Sequence, residues 1–286
     1  MLCGGGLWAF GRFGVASANS QTSQTSQTSQ ISLRICADPN NLPFSNSREE
    51  GFENELARII ASDLGKRVEY TWWAQRRGFV RNTLREGRCD VILGIAASHE
   101  LVLATRPYYR STYVFATRRD RRLDISSFDD PRLRELAIGV HFIGDDGANA
   151  PPAHALTRRG IVRNVRGYSI YGDYTRPNPP MRLVDAVVAG EIDVAIIWGP
   201  FAGWAQRRGA PITITPVSPQ IDVPFLPYVY DIALGVRRGD DSLKVKLEQV
   251  LERRRPDIRA LLTRYGVPLV ETARRRVAAD AGAMVP

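Results

Sequence analysis

Leu84-Arg85-Glu86-Gly87-Arg88-Cys89-Asp90-Val91-Ile92-Leu93-Gly94-Ile95 decides the fold. Its opening residues end a helix at Gly87, where a residue without a side chain takes the left-handed backbone of a helix terminus. Two linking residues follow. The run 90–95 is then apolar on both faces, as in a parallel-sheet strand covered by helices on each side. The frame recurs 103 residues later as Val187-x-x-Gly190-x-x-Asp193-Val194. Two copies of one helix-to-strand unit imply two lobes of the same build.

Working outward, the first copy predicts a strand at 33–37, a helix at 51–64, a strand at 68–72 and a helix at 78–86. Phe52, Leu56, Ile59, Ile60 and Leu64 form the apolar stripe of the first helix, and Gly65 stops it. Around the second copy, strands are predicted at 137–142, 165–170, 193–198 and 212–217, with helices at 152–159 and 180–189. Strands at 112–117 and 230–236 lie between and after these groups, and helices at 243–250 and 258–262 close the chain. With right-handed crossovers the class is α/β, each lobe a mostly parallel sheet flanked by helices. The expected division is 1–31 as signal peptide and linker, 32–117 with 230–266 as a discontinuous first lobe, 118–229 as the second, and 267–286 as a loosely docked tail.

Residues 1–18 finish in Ala16-Ser17-Ala18, the small-x-small pattern that signal peptidase accepts, although Arg12 interrupts the apolar run. Residues 19–30 repeat Gln-Thr-Ser three times and read as a flexible linker. Cleavage would leave a periplasmic protein starting near Asn19, with Cys36 and Cys89 as its two thiols. Beyond the leader no apolar run approaches the ~18 residues a bilayer needs. No membrane span is expected after signal removal. Lys and Arg exceed Asp and Glu by 39 to 30, and 36 of the basic residues are arginine. They are scattered, without the aromatic-interleaved clustering of a nucleic-acid binder. A basic surface of this kind would steer an acidic protein partner. Three scattered histidines offer no zinc spacing. Gly144-Asp145-Asp146-Gly147 lacks the further oxygen ligands a hard cation requires. Neither a nucleophile elbow nor a phosphate loop is present, so the expectation is no cofactor and no catalysis.

Gly51-Phe52-Glu53-Asn54-Glu55-Leu56-Ala57, Gly87-x-x-Asp90-Val91 and Arg106-Pro107-Tyr108-Tyr109 resemble the signature of bacterial solute-binding proteins of the polar amino-acid type. Segments 36–46, 70–82 and 105–115 resemble one branch of that family, the MxaJ/XoxJ-type periplasmic accessory proteins encoded with PQQ-dependent methanol dehydrogenases and their cytochromes c. The likeness spans about residues 32–266. It implies a two-lobed periplasmic-binding (Venus flytrap) fold and a periplasmic location. The partner it implies is a PQQ-dependent methanol or alcohol dehydrogenase, mature or immature, or its cytochrome c, held in the cleft. One departure bears on the ligand. Amino-acid binders place an arginine shortly after the Asp-Val strand, where it clamps the α-carboxylate. Here residues 94–105 contain none, and a free amino acid is not expected.

Candidate contacts follow from the rule that open α/β sheets bind ligands beyond the carboxyl ends of their strands. Asp38, Asn40, Asn41 and Phe44 lie just after the first strand, though Asp, Asn and Pro also suit an ordinary turn. Ser98 follows the 90–95 strand and Trp198 ends its counterpart. Trp72 and Trp73 point to opposite faces of their strand, so at most one is core, and with Arg76 and Arg77 they have the composition of a protein hot spot. Tyr171 belongs to an aromatic, proline-stiffened connection. Cys36 falls late in its strand and Cys89 just before its own, which leaves their pairing open against the ~7 Å Cα limit. Two readings compete: an accessory protein that binds another polypeptide, and a transporter receptor for a small solute that is not a free amino acid.

Overall fold

A computed structural model describes residues 31–142, 150–170 and 174–271. The leader, the Gly144–Gly147 motif and Tyr171 lie outside the described residues. The first half contains β1 (Ser32–Ala37), the short pair β2 (Asn40–Asn41) and β3 (Ser45–Asn46), α1 (Phe52–Asp63) and β4 (Arg67–Trp72). A π-helical turn at Arg81–Arg85 leads to β5 (Val91–Ala96), β6 (Leu103–Ala104) and the long β7 (Tyr109–Arg118). The second half runs β8 (Ile138–Phe142), α2 (Pro151–Arg158), β9 (Val165–Ser169), α3 (Arg182–Ala189), β10 (Val194–Trp198), α4 (Gly199–Arg207) and β11 (Ile212–Pro216). A hairpin, β12 (Ile221–Asp222) with β13 (Leu226–Pro227), precedes β14 (Val229–Val236), α5 (Asp241–Arg253) and α6 (Arg255–Arg264).

The helices follow their apolar stripes. Phe52, Leu56 and Ile60 are buried on α1, and its start is tied down by Asn54, whose Oδ1 accepts from the amides of Gly51 (3.0 Å) and Asn46 (3.2 Å). One sheet takes the order β4-β1-β5-β14-β7-β10-β8-β9, with β11 on β7 and β6 on β14. β1 is parallel to β4 and β5, and β8 is parallel to β9 and β10. β7 and β14 are antiparallel to their neighbours. Tyr109–Thr112 pairs with β14, while the rest of β7 pairs with β10 and β11. Two parallel α/β units are thus joined by two crossing strands.

The repeated aspartate has the same task in each half. Asp90 accepts from the Arg34 amide (3.2 Å) and side chain (2.6 and 3.1 Å), fastening β5 to the start of β1. Asp193 accepts from the Ala137 amide (2.9 Å) and from Arg121 (2.8 Å), fastening β10 to the start of β8. Cys36 and Cys89 form a disulfide with Cα atoms 5.5 Å apart. The separation that left this pair open does not arise, because the Asp90 amide donates to the Arg34 carbonyl (2.7 Å) and draws the segment before β5 alongside β1. The described part of the expected tail is docked. Val267 is buried, Ser111 donates to the Pro268 carbonyl (2.7 Å), and the Val270 amide donates to the Arg110 carbonyl (2.9 Å). Gly203 permits this return, since a Cβ there would stand 1.9 Å from the Gly266 carbonyl oxygen.

Candidate functional site

Beyond the end of β1 the chain turns on Asp38. This buried carboxylate accepts from the Asn40 amide (2.8 Å), the Gln75 amide (2.7 Å) and the Tyr174 hydroxyl (3.3 Å). Burial raises its pKa, and those hydrogen bonds only partly offset the rise. Asn40 reaches the other half of the molecule, donating to the Arg176 carbonyl (2.8 Å) and accepting from the Asn178 amide (2.9 Å). Phe44 packs edge-on against Phe201 of α4, with centroids 5.1 Å apart. The loop therefore latches the two halves together and roofs the space between them.

That space is a cavity of about 360 Å³. The first half lends it Asn41, Phe44, Glu53, Gln75 and Tyr109, and the second lends it His141, Trp198 and Phe201. Tyr113 and Tyr230 come from the two crossing strands. Tyr113, Trp198 and Tyr230 meet edge to face at 63° to 72°, with centroids 5.3 to 6.4 Å apart. Asn41 donates to Gln75 (3.3 Å), but its buried Oδ1 has no partner among the described residues. His141 donates from Nε2 to the Pro180 carbonyl (2.9 Å), and burial lowers its pKa to about 4, so the ring is neutral at physiological pH. Glu53 lies in the space where a side chain on Gly94 would stand. Burial first, and then the nearby charge of Asp38, push its pKa up to about 8. Among the described residues no arginine or lysine lines the cavity, in accord with the absence of a carboxylate clamp at residues 94–105 of the sequence.

Of the residues singled out from sequence, Asn41, Phe44 and Trp198 meet in this cavity, and Asp38 and Asn40 organise its roof. Trp72 stacks on Tyr70 (4.4 Å) against the main core. Trp73 is half-buried on the opposite face, where it packs against the cluster around Cys36 and Phe79, with Arg88 5.6 Å above its ring. The proposed tryptophan hot spot is thus divided between two cores. Arg76 and Arg77 are exposed on the turn beyond it, and Ser98 is exposed in the turn after β5, outside the cavity lining. Glu53, Tyr109, Tyr113, His141 and Tyr230 were not singled out. The available signal was the acid at 53 on the same helical face as Leu56 and Ile60, three and seven residues on.

Residues 33–267 match the bacterial extracellular solute-binding proteins, family 3. The chain belongs to that family. It is 32% identical over 247 residues to Protein MoxJ of Methylorubrum extorquens, covering 84% of this chain and 82% of the relative. The crystal structure of the periplasmic binding protein XoxJ from Methylobacterium extorquens AM1 is similar at 35% identity and a TM-score of 0.69, covering 84% of this chain and all (100%) of that one. MxaJ from Methlophaga aminisulfidivorans MPT is similar at 26% identity and a TM-score of 0.72, covering 83% and 100%. The MxaJ/XoxJ-type resemblance and the two-lobed α/β fold read from the sequence are both borne out. Among the described residues no cluster of three His, Cys, Asp or Glu is placed to hold a metal ion, and no helix is long and apolar enough to cross a membrane.

Proposed function

We propose that this protein is a periplasmic, non-catalytic accessory of a methanol-oxidation system that associates with a PQQ-dependent methanol dehydrogenase or its cytochrome c. Its likeness to MoxJ, XoxJ and MxaJ supports the setting. The cleft cavity has room for a side chain or a small molecule and not for a folded partner, so the association is proposed on the outer surface. The observation that carries it is the hairpin at 221–227. Val223 is 82% and Phe225 91% exposed. Both project from a fixed base, where Asp222 is buried and accepts from Arg159 (2.6 Å) and Tyr228 (3.2 Å). Exposed Arg158 donates to the Val223 carbonyl (2.8 Å), setting a positive charge beside the apolar tip. A rigid apolar knob rimmed by charge has the anatomy of a protein contact.

The test is titration of purified dehydrogenase and cytochrome c with the parent protein and with Val223→Ser/Phe225→Ser. A loss of at least ~2 kcal/mol of binding, about thirtyfold, with melting unchanged is expected. Equal binding by the variant removes the hairpin from the interface. Arg76→Ala/Arg77→Ala serves as a second probe of the basic surface. Trp73→Ala does not, because it would also damage the core.

The cavity favours a second reading, a receptor for a small solute that is not a free amino acid. We also propose that the lobes divide at the crossing strands, as 32–117 with 230–266 and 118–229.

A further inference from the structure

Glu53 has no structural task that explains its burial. It is 7% exposed, and among the described residues its carboxyl makes no hydrogen bond and meets no cation. The charge acting on it is that of Asp38, which repels it. Burying an acid without a partner is unfavourable in either protonation state, and a helix that only needed packing there would carry an apolar residue. The rest of the cavity has matching chemistry. Three rings inclined to one another by 63° to 72°, Tyr113, Trp198 and Tyr230, form a corner, and aromatic faces attract cations. Asn41 adds an unpartnered buried acceptor. His141 is held as a neutral tautomer by Pro180 and contributes no repelling charge.

We propose that this cavity binds a small organic cation, an alkylammonium or quaternary ammonium group without a carboxylate, with Glu53 as its counter-charge and Tyr113, Trp198 and Tyr230 around its head. A ligand carboxylate would meet no arginine or lysine among the described lining residues, which is why the proposed ligand lacks one. The proposal rests on the cavity alone and not on the partner the outer surface meets. The same cationic head could be a free solute or a lysine side chain delivered by a protein.

The experiment is calorimetric titration of the purified protein with tetramethylammonium, with choline, with choline's neutral carbon isostere dimethylbutanol, and with Nα-acetyl-lysine amide as a mimic of a protein side chain. The cations should bind at least ~tenfold more tightly than the neutral isostere. Binding near neutral pH should release a proton, read as a heat that changes with the ionisation enthalpy of the buffer. Glu53→Gln should abolish both the preference and the proton release, and Trp198→Leu should weaken cation binding while Trp198→Phe largely retains it. Tighter binding of choline assigns a free solute, and tighter binding of the lysine mimic assigns a protein side chain. The proposal is overturned if dimethylbutanol binds as tightly as choline, if no cation binds at millimolar concentration, or if Glu53→Gln leaves cation affinity unchanged. Should that variant fail to fold, proton release by the parent decides the matter. Because no dehydrogenase is present, failure of the proposed association leaves every outcome readable.

Discussion

Glu53 and His141 show how burial sets the charge of the cleft one side chain at a time. Both are neutral near physiological pH, the acid because it keeps its proton and the base because it never gains one. The groups acting electrically around Glu53 are Asp38, Tyr70, Tyr108 and Tyr109, and none is cationic. Its folded pKa of about 8 lies above the unfolded value of ~4.3. The folded state therefore holds the proton more tightly. Its advantage is complete below the unfolded value and is lost as pH rises toward about 8, at up to ~1.4 kcal/mol per unit. Glu53→Gln removes this loss. Its melting temperature should climb relative to the parent between pH ~5 and ~8 and converge with it in acid. His141 destabilises both proteins alike as pH falls, so it cancels in the comparison. Superimposable profiles would show that the carboxyl is already solvated or paired. The sequence displayed Glu53 inside a recognisable motif, yet nothing in a linear motif reveals that among the described residues no cation stands beside it in space.

At the scale of elements, the 103-residue repeat made most of the fold legible, because strand, glycine stop and helical stripe are local signals. The elements that escaped were those whose local signals conflict or are too short. α4 starts Gly199-Pro200 and contains Gly203, residues that read as breakers. Proline in a first helical turn is nonetheless favourable, and Gly203 is there for contact with Gly266. The hairpin at 221–227 offers strands of only two residues each, so its anchor, the Asp222–Arg159 pair, is a long-range fact. Asp90, in contrast, was legible as an architectural residue, and its role can be measured. Burial disfavours its charge, but the hydrogen bonds and charge of Arg34 outweigh that and hold its pKa below the usual carboxylate range. Its contribution is therefore present above the unfolded value of ~3.9 and is lost as pH falls through the lower folded one. Asp90→Ala should cost about 1–3 kcal/mol in denaturant unfolding at neutral pH, with the gap from the parent closing in acid. A gap that persists undiminished at low pH would assign the loss to packing instead.

On the side of the Asp38 loop, a small set of contacts among the described residues holds the halves closed over the cavity, and this makes its opening testable. The hydrogen bond that Asn40 donates to the Arg176 carbonyl, the one it accepts from the Asn178 amide, the one that Tyr174 donates to Asp38, and the Phe44–Phe201 edge contact span the halves on this side. The crossing strands β7 and β14 connect them through continuous sheet, so opening does not require either lobe to unfold. Each neutral hydrogen bond contributes ~0.5–1.5 kcal/mol net. Asn40→Ala should therefore shift the balance toward an open form by about 1–3 kcal/mol, roughly 5- to 150-fold in population. Small-angle scattering should then show a larger radius of gyration for Asn40→Ala than for the parent, with unfolding still cooperative. An occupied cavity gains contacts from both halves, so a bound cavity ligand should return the variant toward the parent's dimensions, at the cost of weaker apparent affinity. Tyr174→Phe removes one bond of the latch and should give a smaller change in the same direction. If Asn40→Ala scatters like the parent while melting at the same temperature, the halves are fixed by the sheet itself. The cavity would then be a static pocket, entered without any movement of the lobes.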